Sequence, residues 1–317
     1  MGNKIKIKHF IGFLFLTIYL SNLVFAEEVM PTKQGITFPE VFISSDSENL
    51  NVRKYSTAYM PVYQHGDLNS GIRLQHLDFE QQSWGASGKQ LSLFAKNIDP
   101  KTALGYSINF GVNDIHGKSV ITTDSQYSFE LESKTRVELI LNRDRVETQK
   151  SIENNISYTM LALNVDQEIF KNLTAIAMVG NMNFSDSNSR PFVRLRLVAD
   201  VIPEYGINLQ LRYRRFHSTD INVERNYFNP EDYQETIVLL GFRKRIQGWM
   251  LAGTAGYGQQ QIDYQQNTNT KLLDLSVTSP IQEGIFFRAK AGFNQSAGFQ
   301  GPDYYYRYFM QELIFSF

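Results

Sequence analysis

The chain of 317 residues contains no cysteine. That excludes disulfides, thiolate metal sites, a cysteine nucleophile and a lipidated N-terminal cysteine. It also lacks a surplus of either charge: 31 Lys and Arg stand against 32 Asp and Glu, a formal net charge of −1. Without a basic field, nucleic acid is not an expected partner. Long apolar runs are scarce. Past the N-terminal segment none reaches the ~20 residues of a membrane-spanning helix. A phosphate-cradling glycine loop is missing, and His65, His76 and His116 lie scattered, without metal-ligand spacing. No metal or cofactor is expected.

Aromatic residues are what the chain has in plenty, with 17 Tyr and 23 Phe. Amphipathic rings favour the boundary between membrane and water, where β-barrels wear them as girdles. Mean hydropathy is slightly polar, at −0.30. A membrane barrel has such an average because only every second residue meets lipid.

Residues 1–26 read as a secretory signal. Lys4, Lys6 and Lys8 form a positive start, an apolar stretch follows over about residues 10–20, and Val24, Phe25 and Ala26 suit cleavage before Glu27. The apolar stretch is short for an anchor helix. About 290 residues would remain, enough for two ordinary domains or one large barrel. An exported chain without disulfides needs another source of stability, and a closed hydrogen-bonded barrel is one. Residues 27–50 are polar and weakly patterned, a periplasmic lead-in in which only residues 36–43 could be a strand.

Over residues 51–317, segments with period-two alternation follow one another. Tyr106, Ile108, Phe110 and Val112 alternate with Ser107, Asn109 and Gly111. Val193, Leu195 and Leu197 alternate with Arg194 and Arg196, and Leu209, Leu211 and Tyr213 with Gln210, Arg212 and Arg214. Such regularity predicts strand after strand with one apolar face. Turn signals separate them: residues 69–71 (Asn-Ser-Gly), 99–100, 116–117, 186–188, 247–248 and 283–284, with longer polar stretches over 218–232, 263–270 and 295–303. Soluble β-sandwich strands typically run five or six residues, so segments of ten or more favour a membrane barrel. The expectation is an all-β fold, a transmembrane antiparallel β-barrel of about 16 strands, 14 being the alternative because bacterial barrels prefer even numbers.

The last segment carries Phe309, Leu313, Phe315 and Phe317 on one face and Tyr308, Met310, Glu312, Ile314 and Ser316 on the other. A terminal phenylalanine closing an alternating aromatic strand resembles the assembly signal of bacterial outer-membrane barrels. The resemblance implies the bacterial outer membrane as location, with its lipids and the barrel-assembly machinery as partners.

On this reading the polar faces line a lumen. Arg194, Arg196, Arg212, Arg214, Arg243, Arg245, Arg288 and Lys290 are then candidate pore-lining residues. Guanidinium groups offer forked donors and stay charged. They would favour anionic solutes or hydrogen-bond a polar polymer, or else brace the wall by pairing with carboxylates such as Glu138 and Asp274. His217 and Ser218, near Asp220, are the one neighbouring pair that invites a nucleophile reading, but a triad is defined by geometry rather than adjacency. No enzymatic activity is expected. Gly253, Gly256 and Gly258 lie inside an alternating segment, where glycine permits bending or close approach.

Asn226, Tyr227, Phe228, Asn229 and Pro230, followed by Tyr233 and a strand, resemble a signature of the C-terminal barrels of exopolysaccharide export porins of the poly-N-acetylglucosamine and cellulose type. Residues 184–190 (Phe-Ser-Asp-Ser-Asn-Ser-Arg) resemble the turn that precedes two strands there. The resemblance implies a sixteen-stranded conduit for a polysaccharide, serving biofilm formation. Those porins carry a long periplasmic array of helical repeats, whereas only the lead-in precedes this barrel. A separate periplasmic repeat protein is therefore a possible partner. A diffusion pore for small polar or anionic solutes, or a barrel enzyme or surface structural protein, are the other readings. The Tyr227–Pro230 motif itself reads either as a rigid turn anchored at the interface by its rings or as a loop that folds inward at the mouth.

Overall fold

The computed structural model describes residues 33–221, 226–280, 284–296 and 303–317. The expected signal over residues 1–26 lies outside them, as does the lead-in up to residue 32. The described chain forms one closed antiparallel barrel of sixteen strands, each bonded to its neighbour in sequence, with β1 (Lys33–Asp46) closing on β16 (Tyr305–Ser316). Gln34 and Phe317 seal the seam by exchanging both backbone hydrogen bonds at 2.9 Å. Closure removes the edges that an open sheet would expose to hydrocarbon, so every strand finds a partner.

The strands between are β2 (Leu50–His65), β3 (Leu68–Gln81), β4 (Trp84–Ile98), β5 (Gly105–Ile115), β6 (Lys118–Glu132), β7 (Thr135–Arg145) and β8 (Ser157–Phe170). Then come β9 (Leu173–Phe184), β10 (Ser189–Ile202), β11 (Ile207–His217), β12 (Asp232–Ile246), β13 (Trp249–Ile262), β14 (Thr268–Thr278) and β15 (Ile285–Gln295). Their lengths match tilted spans of a bilayer. The only helices among the described residues are α1 (Gln149–Glu153) and a single 3₁₀ turn at Pro203–Tyr205.

Alternation sets the two faces. On β4, Leu91 and Leu93 are 53% and 58% exposed while Ser92 between them is 2% exposed. Leu161, Val179, Leu195, Leu240 and Leu275 continue the outward apolar surface around the barrel. Water does not tolerate an apolar surface that encircles a whole molecule, and lipid does. Tyr205 and Trp249, exposed beside the short turns, suit the interfacial girdle. Among the outward residues are Phe309, Phe315 and Phe317 of the terminal segment. The barrel therefore spans the bacterial outer membrane.

The connections at the two ends differ. One end has turns such as 66–67, 133–134, 171–172 and 247–248 together with Lys33 and Phe317. The other has the longer connections 146–156, 218–231 and 296–304. Short turns face the periplasm and long loops the outside in such barrels.

The turn expected at residues 69–71 is corrected by the structure. The chain reverses at Gly66 and Asp67, and Asn69, Ser70 and Gly71 lie inside β3. Gly71 faces a bulge in β2, where the register shifts between Tyr59 and Val62. A Cβ at Gly71 would sit 2.1 Å from the Tyr59 carbonyl oxygen, so glycine marks a close approach there and not a reversal.

Candidate functional site

The lumen is the site that this architecture builds. Arg194 and Arg196 on β10 stand opposite Arg214 and Arg212 on β11, and all four share the inward parity. Four guanidiniums this close need countercharge, and Glu235 of β12 supplies it. Glu235 is 1% exposed, and its carboxylate lies 2.9 Å from Arg214 Nη2 and 3.4 Å from Arg212 Nη2. Thr270 Oγ1 donates to the same carboxylate at 3.2 Å. Arg214 Nη2 also donates to the Tyr233 hydroxyl at 2.9 Å. Removing one member of such a buried set costs more than a surface pair, because the others stay desolvated.

Arg194 and Arg196 differ from their partners. Arg194 stacks over the Phe192 ring at 5.1 Å, and Arg196 Nε donates to Gln210 Oε1 at 3.0 Å. Neither forms an ion pair with a carboxylate among the described residues, so their charge remains available to the lumen. Arg243 and Arg245 follow on the same face of β12 toward its short-turn end, where Arg245 Nη1 donates to the Gly248 carbonyl at 3.2 Å.

A second charged group straddles the seam. Arg288 of β15 pairs with Glu312 of β16 at 2.5 Å, and Arg73 of β3 with Glu40 of β1 at 3.1 Å. Arg73, Arg288 and Glu312 line one luminal cavity together with Lys96 and Phe94. Lys290 lies one inward step along β15 from Arg288 and is exposed. The sequence suggested Glu138 and Asp274 as the bracing carboxylates, and the structure corrects this. Glu138 meets the Ser128 hydroxyl at 3.4 Å and Asp274 the Tyr308 hydroxyl at 3.0 Å, while Glu235, Glu312 and Glu40 hold the arginines.

The outer mouth is narrowed by two inward-folded connections. The β7–β8 connection carries α1, whose first turn is capped by Thr148: its Oγ1 accepts from the Ser151 amide at 3.2 Å. From α1, Ile152 reaches the inner wall and packs with Leu50, Val52, Leu77, Phe79, Ala86 and Ile115. Glu147 Oε1 meets Lys54 Nζ of β2 at 2.6 Å. The β11–β12 connection meets α1 at Asn226, whose carbonyl accepts from Ser151 Oγ at 2.8 Å and from Thr148 Oγ1. Asn154 Nδ2 donates to Asn226 Oδ1 at 2.9 Å.

Both sequence motifs that carried the family resemblance meet at this point. Tyr227 is buried, stacked on Phe184 with ring centroids 4.4 Å apart. Asn188 Nδ2 donates to the Tyr227 hydroxyl at 3.0 Å and to Asn229 Oδ1 at 2.8 Å, and the hydroxyl donates to Asp186 Oδ1 at 3.1 Å. Burial and the Asp186 carboxylate push the Tyr227 hydroxyl well above its ordinary range, so it stays protonated. Arg190 Nη2 donates to the Phe228 carbonyl at 2.7 Å while its guanidinium lies over Phe184, Phe216 and Tyr227. Pro230 is buried, and Tyr233 stacks on Phe216 at 4.9 Å. Of the two readings of the motif, the structure has the inward one: its rings pack inside the mouth and not at the lipid interface.

His217 and Ser218 are not brought together. His217 is exposed, whereas Ser218 is 1% exposed with its Oγ 3.4 Å from Arg190 Nε. No group of side chains that could hold a metal ion occurs among the described residues. Gly256 and Gly258 allow close approach, since a Cβ there would lie 2.5 Å from Leu239 Cδ2 and 2.1 Å from the Thr236 carbonyl oxygen.

Sequence reading missed Glu235 and the apolar patch under α1. The patch had a signal. At the outer ends of β2 and β3 the pattern inverts: Leu77 and Phe79 face inward and His76, Asp78 and Glu80 outward. Alternation alone does not say which face is lipid, so the inversion passed as ordinary strand.

No family model matches the chain, and no curated protein matches it in sequence. Among solved structures, a bacterial polysaccharide outer membrane secretin superposes with a TM-score of 0.66 at 10% identity, covering 91% of this chain and 99% of that one. CdiB from Acinetobacter baumannii aligns with a TM-score of 0.47 at 12% identity, covering 90% of this chain and 60% of that one. An anion-selective porin from Comamonas acidovorans aligns with a TM-score of 0.41 at 8% identity, covering 90% and 98%. Identities this low establish architecture alone: the chain has the fold of a bacterial outer-membrane β-barrel.

Proposed function

We propose that this barrel is a porin-like conduit for a polysaccharide leaving the cell. The observation that carries the reading is the lumen wall. Beside apolar patches such as the one under Ile152, its inward positions hold arginines, carboxylates, amides and tyrosines that offer hydrogen bonds. A sugar chain presents hydroxyls all along its length and slides by exchanging many weak hydrogen bonds. Binding must be strong enough to admit it and weak enough to release it. The meeting of the Tyr227–Pro230 motif with the Asp186–Arg190 turn supports the resemblance to exopolysaccharide export porins, and the polysaccharide outer membrane secretin shares the fold. A separate periplasmic repeat protein would then guide the polymer to the short-turn end.

A second reading is a diffusion pore for small anions, favoured by the carboxylate-free Arg194 and Arg196. Conductance of the refolded protein in planar bilayers separates the two. Steady current interrupted by added polysaccharide supports export. Current with anion preference that no glycan interrupts supports the small-anion pore and sinks export.

A further inference from the structure

Aromatic rings run along the luminal side of the seam. Tyr306 and Tyr308 share the inward face of β16, and Phe42 faces inward from β1. Phe42 and Tyr308 have ring centroids 6.3 Å apart and planes 19° apart; Tyr306 and Tyr308 follow at 6.1 Å and 29°. Tyr304 continues the same two-residue step beyond the strand. All four rings are half-buried, so part of each reaches the lumen.

Hydroxyl bonds fix the orientation of two of them. Tyr308 donates to Asp274 Oδ1 at 3.0 Å and Tyr304 to Asp46 Oδ2 at 3.1 Å. Tethered rings lose little further freedom when a ligand lies on them. The file leads into a cavity at the outer mouth, bounded by Tyr304, Tyr306 and Phe228 with Asp46, Glu147 and Gln81 between them. Rings beside carboxylate and amide groups match both parts of a pyranose. Its C–H face is apolar, and its rim of hydroxyls donates and accepts hydrogen bonds.

We propose that Phe42, Tyr308, Tyr306 and Tyr304 form a stacking track for successive sugar rings of the exported glycan, ending in the mouth cavity beside Phe228. The proposal rests on the conduit reading and adds where the polymer runs: along the β16–β1 wall and not along the arginines of β10 and β11. Small anions would use the arginines. Sugar rings, neutral over most of their surface, use the rings. Alternate strand residues lie about 6.8 Å apart. The observed centroids lie 6.3 and 6.1 Å apart, so the rings offer successive apolar surfaces along the wall, with Lys54 Nζ over the Phe42 ring at 5.5 Å.

The test is current interruption in planar bilayers by cellohexaose and maltohexaose, with polyethylene glycol of matching size as control. Tyr306→Ala and Tyr308→Ala are compared with Tyr306→Phe and with Tyr305→Ala on the outer face. The expected result is longer interruptions by the sugars than by polyethylene glycol. Alanine at either inner tyrosine shortens them about three- to tenfold, while Tyr306→Phe and Tyr305→Ala leave them unchanged. Sugar interruptions that survive both alanine variants overturn the track and leave the conduit standing. An open channel that neither these sugars nor longer glycans interrupt removes the conduit reading and the track with it. If the wild-type channel stays closed, calorimetry in detergent decides: binding of cellohexaose lost in Tyr306→Ala supports the track, and binding equal in both overturns it. Unchanged heat-dependent gel mobility shows that each variant has folded.

Discussion

Lys54 on the β2 wall and Glu147 in the β7–β8 connection are 93 residues apart in sequence and meet at 2.6 Å. This pair ties the inward connection to the wall beside the Ile152 contacts, so it bears on how wide the mouth stands. Lys54→Ala or Glu147→Ala is expected to raise single-channel conductance and its noise. The double exchange Lys54→Glu with Glu147→Lys is expected to restore both. Identical traces in all four proteins would show that the pair does not restrain the mouth.

Arg194 and Arg196 form no ion pair with a carboxylate among the described residues. Replacing both by glutamate is expected to move the reversal potential in a salt gradient toward cation preference. Arg214→Glu has a different outcome. It sets a second carboxylate beside the buried Glu235, so the refolding yield falls before selectivity can be read. An unchanged reversal potential in the double variant would count against an open lumen along β10 and β11.

Asn188 is 1% exposed and joins the turn after β9 to Tyr227 and Asn229. Asn188→Ala removes both donated bonds at a cost of roughly 1–3 kcal/mol, leaving Tyr227 only its bond to Asp186 and Asn229 Oδ1 only that from Arg190. The connection 218–231 should then become a site of protease cleavage from outside in intact cells. Arg190→Lys should act alike, because an ammonium cannot spread over the Phe184, Phe216 and Tyr227 rings as a guanidinium does. Equal resistance of wild type and both variants would refute the anchoring role.

The lipid face has its own test. Leu93→Arg puts a charge near the middle of the outward surface of β4 and should destabilise the barrel by about 2–4 kcal/mol in denaturant unfolding from lipid vesicles. Gln90→Arg, at a half-buried position on the inward face of the same strand, points the same charge into the lumen and should cost less. A reversed order would mean that the two faces are exchanged.

Gly258→Val should abolish folding, read as loss of the heat-dependent gel shift, since its Cβ would fall 2.1 Å from the Thr236 carbonyl oxygen. A folded Gly258→Val barrel would mean that β12 and β13 can separate locally without loss of closure.

The sequence alone determined the class. Period-two alternation, long segments and rings at the boundaries lead to an outer-membrane barrel because lipid and lumen impose opposite demands on neighbouring residues. It also determined the inward parity of the arginines, since Leu195 and Leu211 commit their neighbours to the other face. Only the tertiary structure decided what those arginines meet. Glu235 lies on a different strand from Arg212 and Arg214, and register, which sequence leaves open, brings them together. It likewise decided that α1 and the Tyr227–Pro230 motif turn inward. The bonds that draw them in join Thr148 and Ser151 to Asn226, and Asn188 to Tyr227, groups distant in the chain. The aromatic file on the seam exists because the last strand closes on the first, and no local pattern announces a contact between Phe42 and Tyr308. Which residues share a face follows from their spacing; which partner they find there follows from closure and register, and those belong to the whole barrel.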